Sequence, residues 1–263
     1  MIIRKYLLVL ALMLSFGTIL SAKESPAAKG LRLAKELEVA NRGFVGESSE
    51  MEMILIDAYK SKTVRQMTGK TMETKSDGDK SLMVFQNPKD VKGTKMLTHT
   101  HKKGDDDQWL FLPSLRRVKR ISSRSKTSSF MGSEFSYEDL GSQEIDKYHF
   151  KWIKNIKSKK GDTHYILERR PKQKSGYSKM LMTISKKMMS AIKIDYYDRK
   201  GDLLKTGVFG NFKQYKVGDK KIYRASLIEM KNIQTKKASV FTWKSRKLGV
   251  KHRSRDFNKK SLK

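Results

Sequence analysis

The 263 residues include no cysteine, which excludes disulfides, a thiol nucleophile and a thiolate-ligated metal, and leaves no residue for a lipid anchor at a cleavage site. Acidic residues are scarce, 27 against 58 lysines and arginines, for a net charge of +31. Such a charge implies anionic surroundings or partners: phospholipid or lipopolysaccharide headgroups, acidic proteins or nucleic acid. Its spread along the whole chain argues against one dedicated patch. No apolar run reaches the roughly 20 residues of a membrane span. Tyr6–Leu20 comes nearest, and it follows Arg4 and Lys5 and precedes the small residue Ala22, the layout of a signal peptide. Residues 1–22 are therefore expected to be a cleaved signal, with an uncleaved anchor as the alternative. Residues 23–263 are then a single soluble periplasmic domain. Catalytic signatures are missing too: there is no G-x-S-x-G, H-E-x-x-H or P-loop pattern.

One helix is legible. Ser25-Pro26 reads as N-cap and first turn, Gly43 as a stop, and Leu33, Leu37, Ala40 and Phe44 form a narrow apolar stripe between them. Beyond Gly46 the chain alternates apolar and polar residues in short runs, separated by turns such as Lys160-Gly161-Asp162 and Val217-Gly218-Asp219. The runs include 63–75, 81–86, 94–101, 107–113, 116–121, 148–154, 163–169, 177–185, 191–198, 203–209, 222–231 and 236–244. About a dozen strands without interleaved helices predict a mainly β fold: a strongly curved or closed antiparallel sheet. The tail from Lys244 is basic and is expected to be irregular, with at most a late edge strand or helix.

Several strands are apolar on both faces. Leu82 and Val84 oppose Met83 and Phe85, and Leu110 and Leu112 oppose Trp109 and Phe111. One set can lie under a covering element and the other along an internal cavity. Many of the 14 methionines, among them Met51, Met53, Met83 and Met96, fall on these strands. Their flexible thioethers suit a wall that accepts varied apolar shapes, and equally an ordinary core. His99 and His101 with Asp105–Asp107 are the one candidate metal set, but their aspartates sit in a Gly-containing hairpin tip, so no metal or cofactor is expected. Arg116, Arg117, Lys119, Arg120 and Arg124 beside Trp109, Phe111 and Phe130 have the composition of a stacking platform. Export argues against nucleic acid, and charge on both strand faces fits a projecting hairpin better than one binding surface.

The run DDQWLFLPSLRRVKRISS, followed by SFMGSEFSYEDL, resembles the signature of the LolA-like family of outer-membrane lipoprotein-sorting proteins. The likeness extends over most of the chain after the signal. It implies a curved, incomplete antiparallel β-barrel with helices covering a hydrophobic cavity, and transient binding of acyl chains of a lipoprotein or another lipid. It further implies a non-enzymatic carrier, a monomer, at times beside an inner-membrane exporter of the resistance-nodulation-division type, delivering towards the outer membrane. Motif positions carried over are Asp106, Asp107, Gln108, Trp109, Leu112, Pro113, Arg117, Arg120, Phe130, Gly132, Ser133, Phe135, Tyr137 and Asp139. Trp109, Phe111, Phe130, Met131, Phe135 and Tyr137 are expected to touch ligand or lid, with Met51, Met53, Leu55, Met83, Phe85 and Met96 along the cavity. Gly132 is expected to turn the chain tightly, and Arg117 and Arg120 to meet carboxylates such as Asp139 or backbone carbonyls. The competing reading is a basic envelope-binding module that adheres to anionic membrane surfaces and has no lipid cavity.

Overall fold

The computed structural model describes residues 24–262, so the expected signal segment lies outside them. The helix α1 (Pro26–Asn41) begins where the capping signal places it: the Ser25 hydroxyl accepts the Ala28 N–H at 3.1 Å. It ends before Gly43, whose φ of +87° is left-handed. Its buried face is Gly30, Leu33 and Ala34, with Leu37 partly buried beside them.

Fifteen strands follow. β1 (Gly46–Ile56), β2 (Lys62–Met72), β3 (Lys80–Asn87), β4 (Lys95–His99), β5 (Asp107–Leu112) and β6 (Arg117–Ile121) form one antiparallel meander. Residues 122–147 then cross over to a second meander: β7 (Tyr148–Lys157), β8 (Thr163–Pro171), β9 (Lys179–Ser185), β10 (Ser190–Tyr197) and β11 (Leu203–Gly210). After a separate hairpin of β12 (Lys213–Val217) and β13 (Lys220–Arg224), β14 (Leu227–Asn232) and β15 (Ala238–Leu248) rejoin the sheet. β15 pairs with β1 and so fuses the two meanders into one 13-stranded sheet that does not close, with β6 and β7 as its free edges. The expected incomplete antiparallel barrel is thus the observed fold, with one α-helix among the described residues and short 3₁₀ turns as cover.

Two strand expectations change. The run 222–231 is broken at Ala225-Ser226, where the Ser226 N–H turns away to the carbonyls of Gly210 and Asn211. β12 was not foreseen because Lys213–Val217 is polar and mostly exposed, so it carries no burial pattern.

The crossover 122–147 links the two open edges through the inside of the sheet. Phe130, Phe135 and Tyr137 enter the main core, where Phe130 meets Phe85 at 5.9 Å between ring centres and Tyr137 edge-on at 5.7 Å. Phe135 stands edge-on to Phe241 at 4.9 Å. Apolarity on both strand faces has a second cause. Leu97 and the partly buried Leu82, Trp109 and Phe111 face away from the main core, under Phe257 and Leu262. The C-terminal tail is therefore ordered: two 3₁₀ turns, Ser254–Phe257 and Lys259–Leu262, seal the outer face of β3–β5. Among the described residues no helix is long and apolar enough to cross a membrane.

Candidate functional site: an apolar cavity beneath the helix

The sheet's inner surface divides into two regions. Along β1–β5 the crossover fills it, and Met53, Met67 and Phe85 are almost wholly inaccessible. Along β7–β11 the crossover withdraws, leaving a cavity of about 450 Å³ roofed by α1 and residues 138–145. Its walls are Leu37 and Ala34 of the helix, Tyr148 and Phe150 of β7, Met180 and Met182 of β9, and Ala191, Ile194 and Tyr196 of β10. This volume lies within the range of small-ligand sites.

Gly30 sets the height of the roof. A Cβ there would stand 2.7 Å from the backbone nitrogens of Lys151 and Trp152, so α1 rests directly on the β7 backbone. Lys29 adds a cation–π contact, its Nζ 3.5 Å from the Trp152 ring centre.

Of the residues singled out from the sequence, Asp139 lines this cavity. Met51, Met53, Met96, Phe85, Phe130, Phe135 and Tyr137 are buried in the main core, with Leu55, Met83 and Met131 packed on its margin. Trp109 and Phe111 lie on the opposite face, beneath the tail. The two halves of the family-like motif do come together, however, as the fastening of the crossover. The Gln108 amide donates to the Tyr137 carbonyl at 2.9 Å, and the Asp106 carboxylate takes the Lys147 ammonium. Gly132, at φ +75°, turns the chain between Phe130 and Phe135, and the Ser133 hydroxyl closes that turn on the Phe130 carbonyl at 2.7 Å. Arg65 of β2 donates to the Met131 carbonyl from inside the sheet.

The expected partner of Asp139 is different. Arg120 reaches Asp107 at 2.5 Å on the exposed edge, because β5 and β6 are adjacent there, and Arg117 is exposed. Asp139 instead pairs with Lys205 of β11 at 2.7 Å, both groups nearly inaccessible. It also accepts from the Tyr177 hydroxyl at 2.9 Å and the Ser136 N–H at 2.7 Å. Lys205 lay in a run read only as a strand, and no local spacing signals a partner 66 residues away.

Polar groups gather at the cavity rim. Burial pushes the Asp79 carboxyl up to about 6, although Arg42 lies 3.4 Å away. Arg42 also reaches the buried Glu144 at 3.4 Å. Burial likewise raises Glu138, whose oxygens accept from the Gly176 N–H and the Ser175 hydroxyl, each at 3.0 Å. Two arginines in the wall have no carboxylate partner among the described residues: Arg224, bonded to Asn41, and Arg169.

Among the described residues no three His, Asp or Glu side chains converge where a metal ion could sit. The His101 ring nitrogens face two carboxylates, Asp77 at 2.6 Å and Asp107 at 3.1 Å, and donate to both when the ring is protonated. The Asp77 bond holds the imidazole pKa above its usual value and keeps the Asp77 carboxyl well below its own. A raised histidine pKa contributes stability below about 6.5, the unfolded value, and loses it as pH rises through the folded one. His101→Gln is expected to lower stability at pH 5.5 by under about 1 kcal/mol, since the site is partly solvated, and to change nothing at pH 9. Urea titrations at the two pH values measure this; an equal loss at both would mean that packing, not charge, holds the ring.

Comparisons with known proteins agree with this architecture. A family model whose description reads "uncharacterized protein" matches residues 77–263. The crystal structure of an outer-membrane lipoprotein-sorting protein domain from Vibrio parahaemolyticus is 44% identical, with a TM-score of 0.86, covering 90% of this chain and 99% of that one. The chain belongs to the family of this outer-membrane lipoprotein-sorting protein domain. The chain is also similar to a DUF1329 protein from Desulfovibrio piger, at 27% identity with a TM-score of 0.83, covering 91% of this chain and all of that one. A LolA superfamily protein from Nitrosomonas europaea shares the fold at 18% identity, with a TM-score of 0.69 over 88% of this chain and 98% of that one. No curated protein matches.

Proposed function

We propose that this protein is a non-catalytic periplasmic carrier that reversibly holds an acyl chain, of a lipoprotein or another lipid, in the cavity beneath α1 and passes it on towards the outer membrane. The observation that carries the reading is the cavity itself: a space of about 450 Å³ with an apolar wall that belongs to the main core, roofed by α1 and residues 138–145. The Vibrio relative, described as a lipoprotein-sorting protein domain, supports the same direction. The main-core residues from Met51 to Tyr137 would then act as the rigid back wall, with Phe130, Met131 and Phe135 anchoring the crossover that frames the cavity.

Area arithmetic makes reversible carriage feasible. Each buried methylene contributes about 0.8 kcal/mol, so a 16-carbon chain gains roughly 12 kcal/mol before ordering costs are subtracted. The positive surface would favour contact with anionic membranes during loading or release.

Native mass spectrometry of residues 23–263 purified from the periplasm tests the reading. An adduct lost on solvent extraction, and a binding isotherm with palmitoylated peptide, are expected. Ala191→Phe, which fills the cavity, is expected to weaken that binding at least tenfold while the β circular-dichroism signal stays unchanged. A protein that takes up no lipid but sediments with anionic vesicles would instead be the basic envelope-binding module.

A further inference from the structure

Arg169 stands alone among apolar neighbours. It lies on the inner face of β8, two residues from the fully buried Leu167, and its cross-strand neighbours are Phe150 of β7 and Met180 of β9. Only 5% of it is exposed, yet no carboxylate among the described residues pairs with it. The nearby acidic groups are already engaged: Glu138 by Gly176 and Ser175, Asp139 by Lys205 and Tyr177, while Glu168 turns outward to Arg170. Arg169 rests on soft partners instead. Its Nε and Nη2 each point at the Met180 sulfur at 3.3 Å, and the guanidinium lies 4.7 Å from the Tyr148 ring centre.

A thioether is a weak acceptor and an aromatic face offers no directed lone pair. Nη1 bonds no group among the described residues, and it belongs to a side chain lining the cavity. The hydroxyl of Tyr196, a second buried residue in the same wall, also bonds none of them. Burying an arginine without a counter-charge is costly, so such a site is built for a charge that arrives with the ligand. Arg169 and Tyr196 flank Met180, their shared cross-strand neighbour on β9, while the carboxylates that line the same cavity are bonded to other groups at its rim. Two neighbouring donors in that stretch of wall are a match for one anionic head.

We propose that the cavity takes a single-chain amphiphile with an anionic head, carboxylate or phosphate, bound by Arg169 and Tyr196 while its acyl chain lies against Met180, Met182 and Ile194. This rests on the carrier reading and narrows its cargo. The size agrees: about 450 Å³ lies towards the lower end of the range of small-ligand cavities.

The test compares palmitate, 1-palmitoyl-lysophosphatidate and neutral hexadecanol, each below its aggregation concentration, on residues 23–263. Wild type is expected to bind an anionic ligand roughly 10- to 100-fold more tightly than hexadecanol, the range for a hydrogen bond to a charged group. Whether palmitate or the lysophosphatidate gains more identifies the head. Arg169→Met, a fit for its Met-lined surroundings, is expected to abolish the preference while hexadecanol binding stays or improves, and Tyr196→Phe to reduce it several-fold. Equal affinity of wild type for all three would overturn the anion site and leave the carrier reading standing. Binding of none of them would remove both. The wild-type comparison decides the matter even if a variant does not fold.

Discussion

Replacing Asp139 with leucine is expected to destabilise the fold by about 3–5 kcal/mol, the cost of leaving a buried charge, here Lys205, without its partner. For a domain of this size that corresponds to a melting temperature lower by roughly 10 °C. Asp139→Asn keeps most of the shape and the bonds near Ser136 and Tyr177 but removes the negative charge, so most of the loss should remain. Lys205→Met should cost less, because the Asp139 carboxylate keeps the Tyr177 hydroxyl and the Ser136 N–H as donors. The double variant Asp139→Leu with Lys205→Met is expected to recover most of the stability, since an apolar pair of similar volume can replace a buried ion pair. Urea unfolding of the four variants yields the coupling directly. Single losses below about 1 kcal/mol would show that the pair is solvated and that the crossover is held by something else.

Phe130→Ala should cost a comparable amount, about 3–5 kcal/mol, through lost burial and the cavity left behind. The ring is fully buried between Phe85 and Tyr137, at the point where the crossover plugs the first half of the sheet. The measurement has two readouts. Thermal unfolding should drop while the affinity for acyl ligand, taken well below the new melting temperature, changes little. The opposite pattern, intact stability with lost binding, would make Phe130 a ligand contact and extend the site into the first meander.

These expectations show where sequence reasoning stopped. Met51, Met83 and Phe85 look the same whether they line a cavity or a core, because period-2 alternation reveals which residues share a face and not what lies opposite. The opposing surface is the segment 122–147, and its route inside the sheet depends on bonds such as Gln108 to Tyr137, 29 residues apart. Arg169 left a fainter trace: it shares a face with Leu167, one charge where an apolar residue is expected. The outer apolar face of β3–β5 was visible in Leu82, Trp109 and Phe111, but Phe257 and Leu262, spaced among basic residues, carried no periodic signal that they would cover it.

The helix, its cap and stop, most of the strands, the antiparallel class and the family likeness are determined by the sequence alone, because capping, alternation and turn chemistry act over a few residues. Tertiary structure decided which half of the sheet is plugged and which is hollow, where the buried charges find partners, and which arginine is left facing the cavity. Those outcomes depend on contacts between residues tens to hundreds apart, and no local pattern encodes which distant side chain will occupy a given volume.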